Sequence, residues 1–225
     1  MAGKPGFRVV SSWTRPDASV LTTFDGASSA QVADSMSRMG AMDGEIRPIW
    51  TSPRVIGPAV TVWCHSGDNL MLHKGISLAQ SGDIIVVNTQ GNLVNSPFGE
   101  LLATSAVSKG IRAVIVDGSV RDADGLKALG LPVYSRRISP SGCNKDGGGE
   151  AGTPIACGGV VVRSGDIVLA DADGVTVIPL ADAETVAGLA KAQVKREEDR
   201  MIEIAKGVMT RPEIDEYLSR MKVIE

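Results

Sequence analysis

Gly99-Glu-Leu-Leu-Ala103 followed by Ile111-Arg-Ala-Val-Ile-Val-Asp-Gly-Ser-Val-Arg-Asp122 is the stretch that decides how this chain reads. The first run predicts a helix start. Ser96-Pro97 ahead of it offers a capping hydroxyl and a residue suited to a first helical position, and Gly110 offers the left-handed stop that ends many helices. The β-branched residues from Ile111 to Val116 predict an interior strand. Polar chemistry then arrives abruptly at Arg121-Asp122, the C-terminal end of that strand, where open α/β sheets place their ligands.

Two features can meet there. The first amides of a helix have no partner within it and sit at its positive dipole end, so the N–H groups around Glu100, Leu101 and Leu102 form an anion site. Arg121 adds a planar fork suited to a carboxylate, and Asp122 an oxygen donor for a hard divalent cation completed by water. An anion clamp beside a one-carboxylate metal site suits a 2-oxo acid. The same Arg-Asp pair also suits a turn closed by a weak surface ion pair.

Working outward, 225 residues with 43% hydrophobic and 22% charged side chains suffice for one domain with a real core. A net charge of −3 and aromatic content of 4% give neither the basic field nor the stacking surface of a nucleic-acid binder. No apolar run approaches the roughly 20 residues of a membrane span, and the first residues lack the apolar centre of a signal peptide. Cys64, Cys143 and Cys157 show neither a disulfide framework nor zinc spacing, as expected of reduced thiols in a cytoplasmic protein.

Residues 1–24 read as an irregular lead-in, 25–180 as an α/β core, and 181–225 as C-terminal helices packing on that core or on a neighbouring subunit. Ser28-Ser-Ala-Gln31 is a capping box whose helix carries Asp34 and ends at Gly40. Residues 50–58 read as loop, 59–63 and 83–87 as strands, and Asp68-Asn69 opens a helix containing His73, a single histidine with no spaced partner. Residues 139–154, with Asp146 and Glu150, are rich in turn formers. Val160–Pro179 predicts three strands, with Asp171-Ala-Asp-Gly174 as a plain turn rather than a calcium loop. A long helix capped at Asp182 carries Glu197, and Thr210-x-x-Glu213 predicts a second capping box.

The central stretch resembles the class II pyruvate aldolases of the 4-hydroxy-4-methyl-2-oxoglutarate/4-carboxy-4-hydroxy-2-oxoadipate type. Their superfamily also contains the non-enzymatic regulator of ribonuclease activity A. Arg47-Pro-Ile, Gly57-Pro-Ala-Val-Thr-Val, Gly67-Asp-Asn-Leu, Gly82-Asp-Ile-Ile-Val-Val and Gly165-Asp-Ile-Val-Leu-Ala-Asp-Ala-Asp-Gly-Val follow the family's blocks in order, so the resemblance covers residues 25–205. It implies a single-domain α/β/β sandwich of the swivelling-domain type, assembled as a homotrimer or homohexamer with active sites between subunits.

By the same resemblance, Asp122 binds Mg²⁺ or Mn²⁺, Arg121 contacts the 2-oxo acid, and the amides at Gly99, Leu101 and Leu102 hold its carboxylate. Glu100 supports a metal-linked water as the base. Asp34 and Glu197 reach the site from a neighbouring subunit, and Asp146 is the loop acid of aldolase-type members. By their charge and loop position alone, Arg136, Arg137 and Lys145 are candidates for further substrate carboxylates. The implied reaction cleaves a 4-hydroxy-2-oxo acid to pyruvate and a second keto acid, with oxaloacetate decarboxylation as a side activity; the alternative is a ribonuclease-regulator-like binding protein. A methyltransferase is disfavoured, because no Gly-rich strand-to-helix loop precedes a ribose-binding acid.

Overall fold

Buried β-branched strands alternate with helices through the middle of the chain, and the computed structural model, which describes residues 3–223, folds them as crossovers of a parallel sheet. The elements before this region are α1 (Ala18–Thr22), α2 (Ser29–Ser35) and β1 (Arg47–Pro48). The region itself runs β2 (Val55–Cys64), α3 (Leu70–Leu78), β3 (Ile84–Asn88), α4 (Glu100–Ser108), β4 (Ala113–Val120), α5 (Ala123–Ala128) and β5 (Val133–Ile138). Strands β2, β3, β4 and β5 pair in parallel. Helices α3, α4 and α5 pack on one face through Leu72, Ala103 and Leu126 against Val62, Val87 and Val116. Both faces are covered, so β3 is apolar from Ile84 to Val87. Each such side chain contributes about 1.5–3 kcal/mol of burial.

The second half of the chain turns this sheet into a nearly closed one. It comprises β6 (Gly149–Ala151), β7 (Ile155–Cys157), β8 (Val160–Val162), β9 (Ile167–Ala170), β10 (Val175–Ile178), a 3₁₀ turn, α6 (Ala183–Ala205) and α7 (Pro212–Arg220). The sheet order is β1-β5-β4-β3-β2-β9-β10, with β6 also on β2 and β7–β8 a separate hairpin. Ile84, Val86, Ile115, Tyr134, Cys157, Val168 and Val177 fill the interior between the β layers. Phe24, Val32, Leu169, Val186 and Ala190 join α2 and α6 to the outer face of β9 and β10. One segment links the two outer edges: the Val177 N–H donates to Gly40 and the Met42 N–H to Val175, and the chain then runs straight into β1. This is the mixed α/β architecture expected from the resemblance. No helix among the described residues is long and apolar enough to cross a membrane.

Several local expectations are corrected. The central helix begins at Glu100 behind Gly99, not at Ser96-Pro97, because the Ser96 hydroxyl donates to the Ser139 carbonyl instead of capping. The Ser28 capping box is present, but α2 stops at Ser35. Ser37 and Arg38 then take left-handed conformations, and the Arg38 N–H closes onto the Ala33 carbonyl. Residues 55–58 are strand rather than loop, paired with β9; Pro58, which has no N–H to donate, lies where β2 changes partner from β9 to β3. The lead-in contains α1, and the turn-rich segment contains β6 held on β2. The Thr210 box does not form: α7 starts at Pro212 after Arg211, with no side-chain cap. Asp182 occupies the N-cap of α6 without a capping hydrogen bond.

Candidate active site

The end of β4 carries Arg121-Asp122 onto the start of α4. The Arg121 N–H donates to the Phe98 carbonyl (3.0 Å), which lays the residues before α4 alongside the strand. Asp122 adopts a left-handed conformation (φ 59°), a costly geometry for a residue with a Cβ and one that concentrates at functional sites. From there its Oδ2 accepts the Glu100 N–H at 3.1 Å and lies 3.5 Å from Arg121 Nε. One acid thus caps α4 from a neighbouring turn. Among the described residues no side chain accepts from the amides of Leu101 and Leu102, so the first turn of α4 keeps unpaired donors in residues that line one cavity with Arg121 and Asp122.

Gly99 is required by proximity. A Cβ there would stand 2.4 Å from Asp122 Oδ2 and 2.9 Å from Arg121 Cγ.

Gly99, Leu101, Leu102, Arg121 and Asp122 line one cavity of about 330 Å³ with Asn69, His73, Ser96, Pro97, Gly142, Cys143 and Lys145. Desolvation, then the nearby Lys145 charge, lowers the His73 pKa and disfavours its charged form. Burial, then the Asp68 charge, pushes the Cys143 thiol up to about 11. Cys64 and Cys157 are buried, and all three cysteines are unpaired. Asn69 Oδ1 is buried and has no hydrogen-bond donor among the described residues, while its amide donates to the Pro97 carbonyl at 2.9 Å.

The remaining expected residues lie elsewhere. The Glu100 carboxylate rests against Gly125 at the start of α5, outside the cavity lining. Asp146 follows Lys145 in the cavity wall, with its backbone N–H on Asp68. Asp34 is exposed on α2, 3.6 Å from Arg38. Glu197 on α6 accepts hydrogen bonds from Gln31 and Gln193 (2.6 Å each), which lower its pKa in that order. Asp34 and Glu197 therefore share the α2–α6 face and do not line the cavity.

Arg136 is committed to Asp117 and Asp43, and with Arg137 it lines a separate open groove. Of the three basic candidates, only Lys145 lines the cavity. His73 has no spaced partner in sequence and Asn69 reads as a helix opener, so neither signals a site locally; the Gly67-Asp-Asn-Leu block at a helix start is the available signal.

The description "RraA-like: Aldolase/RraA" matches residues 29–177, most of the chain and every cavity-lining residue. The chain belongs to the RraA-like family. Glu197 falls outside the matched span. This RraA-like chain is 35% identical over 201 residues to a Halalkalibacterium halodurans protein provisionally named 4-hydroxy-4-methyl-2-oxoglutarate aldolase, covering 89% of this chain and 94% of that one. Among solved structures it is similar to Streptomyces coelicolor RraAS2, described as an unusual member of the RNase ES inhibitor RraA family. The TM-score is 0.76 at 26% identity, over 84% of this chain and all of that one. The RNA-processing inhibitor RraA of Thermus thermophilis gives a TM-score of 0.63 at 27% identity, over 68% and 93% of the two chains.

The donor set near Asp122 suits a hard divalent ion. No group of three or more His, Cys, Asp or Glu side chains that could surround a metal occurs among the described residues. Asp122 is half exposed, and among the described residues no hydrogen bond reaches its Oδ1. A single carboxylate open to solvent, with water completing the shell, is the habit of Mg²⁺ rather than of zinc.

Proposed function

We propose that this protein is a divalent-metal-dependent carbon–carbon lyase that cleaves a 4-hydroxy-2-oxo acid to pyruvate and a second keto acid. The observation that carries the reading is the joint presence, in one cavity, of free amides at the start of α4, the Arg121 guanidinium and the Asp122 carboxylate. The similarity to the H. halodurans protein supports a substrate of the 4-hydroxy-4-methyl-2-oxoglutarate type, and the resemblance of the central stretch adds the 4-carboxy-4-hydroxy-2-oxoadipate type. Asp122 would hold Mg²⁺ or Mn²⁺, which when bound supplies Lewis-acid polarisation of the 2-oxo group.

The chain's own groups do the rest. The Leu101 and Leu102 amides bind the substrate C1 carboxylate and fix its orientation. Glu100, whose carboxylate rests against Gly125 outside the cavity lining, takes the 4-hydroxyl proton through a bridging water. The C3–C4 electron pair becomes the C2=C3 double bond as the carbonyl pair moves onto the 2-oxo oxygen, the second keto acid departs, and Arg121 stabilises the negative charge on the resulting pyruvate enolate. Protonation at C3 releases pyruvate. Loss of CO₂ from oxaloacetate reaches the same enolate and is the expected side activity.

The same reading makes the protein a homotrimer or homohexamer. Leu101 is 83% exposed at the cavity edge, and Asp34 and Glu197 can serve that cavity only from another copy. Three unpaired cysteines accord with a cytoplasmic place. A second reading, a non-enzymatic regulator of a ribonuclease, is favoured by the similarity to the two RraA structures.

Pyruvate release coupled to lactate dehydrogenase separates the two. Turnover of 4-carboxy-4-hydroxy-2-oxoadipate or oxaloacetate that needs Mg²⁺ or Mn²⁺, stops with EDTA and disappears in Asp122→Asn supports the lyase. Absence of turnover on 2-oxo acids in a folded oligomer overturns it in favour of the regulator.

A further inference from the structure

Asp68 is 4% exposed, yet among the described residues no lysine or arginine pairs with it. Its charge is held by three backbone N–H groups. Oδ1 accepts from Leu70 at 2.7 Å; Oδ2 accepts from Asp146 at 2.9 Å and Gly147 at 2.8 Å. The first bond belongs to the start of α3 and the other two to the glycine-rich loop, so one carboxylate ties a rigid helix to a loop with little structure of its own.

Main-chain bonds flank it. The Asn144 N–H donates to the Gly67 carbonyl (2.9 Å) and the Asn69 N–H to the Asn144 carbonyl (3.0 Å). Lys145 is consequently pinned on both sides, at Asn144 and at Asp146. A Cβ on Gly147 would sit 2.9 Å from Asp68 Cγ, so that glycine allows the loop to close on the carboxylate.

We propose that Asp68 is a positioning residue: it fixes the loop so that Lys145 stands in the wall of the cavity that Arg121 also lines and binds the second carboxylate of a dicarboxylic 2-oxo substrate. The substrate assignment rests on the lyase reading above, whereas the clamp does not. Lys145 suits this role because it is the one lysine lining the cavity. Asp68 lies outside that lining and touches no substrate, so it acts only through the loop.

Asp68→Asn keeps the volume and the acceptor for Leu70 but turns an amide toward two N–H donors. The first readout is trypsin cleavage after Lys145. The variant is expected to be cut about tenfold faster or more, since the bond is protected by local order. The second is binding by calorimetry: 2-oxoglutarate, with two carboxylates, should weaken about tenfold or more while pyruvate, with one, changes less than about twofold.

The third is a double-mutant cycle with Lys145→Met, which should absorb the Asp68→Asn effect on 2-oxoglutarate binding. Equal weakening of both ligands, or effects that multiply in the double variant, would make Asp68 merely structural and overturn the proposal; unchanged cleavage would overturn the clamp. If the wild-type protein turns over no 2-oxo acid, the lyase reading fails separately, and cleavage and binding still judge Asp68. Should Asp68→Asn not fold, Asp68→Ser removes the carboxylate with a smaller polar group and is read by the same assays.

Discussion

Gly99→Ala is the sharpest perturbation of the candidate site, because one methyl group meets both of its charged residues. Gly99 has an extended backbone (φ −158°) that alanine adopts freely, so any effect comes from space and not from conformational strain. The new Cβ would stand 2.4 Å from Asp122 Oδ2, against about 3.4 Å for an ordinary contact. The difference, 3.4 − 2.4, requires a shift of about 1 Å. Arg121 Cγ at 2.9 Å must give by about half that. A displacement of about 1 Å in positioned catalytic groups costs on the order of 10²-fold in rate, equivalent to about 2.7 kcal/mol of transition-state stabilisation.

Both side chains are partly solvent-exposed and can move outward without disturbing the core, so the melting temperature should fall by no more than about 2–4 °C, the effect of about 1 kcal/mol in a chain of this size. The assay is pyruvate release at saturating Mg²⁺, with a thermal melt on the same sample. A variant that keeps more than about a third of wild-type kcat/KM, far from the 10²-fold expected of such a shift, would show that the close packing of Gly99 on Asp122 does not set the chemistry.

Two further expectations concern Arg136 and Cys143. Arg136→Met strips Asp117, which is only 14% exposed, of its guanidinium partner and leaves it the Gly158 N–H. Breaking such a pair should cost about 2–3 kcal/mol, discounted because the arginine is partly wetted; kcat/KM should stay within about twofold, since Arg136 lies outside the cavity. A large kinetic loss at unchanged melting temperature would instead place Arg136 in the site. For Cys143, a pKa raised to about 11 means that thiolate is scarce below that pH. Iodoacetamide should therefore label it at pH 8 about 10²-fold more slowly than a free thiol, with the rate rising about tenfold per pH unit up to pH 10. Peptide mass spectrometry reads this, and labelling at the free-thiol rate would contradict the burial.

The parts of the fold legible in sequence were those in which one physical cause acts alone. Ile84–Val87 and Ala113–Val116 are buried on both faces, so their runs announce strands. Ser28 and Gln31 satisfy each other across three residues and form the expected box. Glycine next to an anion site, then Arg-Asp after a buried strand, likewise marked residues that share one cavity.

What was hidden depends on partners distant in sequence. Ser96 looked like a cap, but its hydroxyl is taken by Ser139 on another loop, and the true acceptor for the Glu100 amide is Asp122. Strands β6 and β7 have three residues each and exist because β2 and β8 present matching edges, which no local period reveals. Asp68 read as an ordinary helix opener because its loop partners lie far along the chain.

The segment that joins the two sides of the sheet also constrains how copies of the chain can meet. With residues 40–42 bonded along β10, and only the two residues of β1 beyond β5, little main chain remains free to extend the sheet into another molecule. Association must then be written in side chains, on helix faces and cavity rims. A single surface substitution at such a place can change the partner without touching the barrel that presents it.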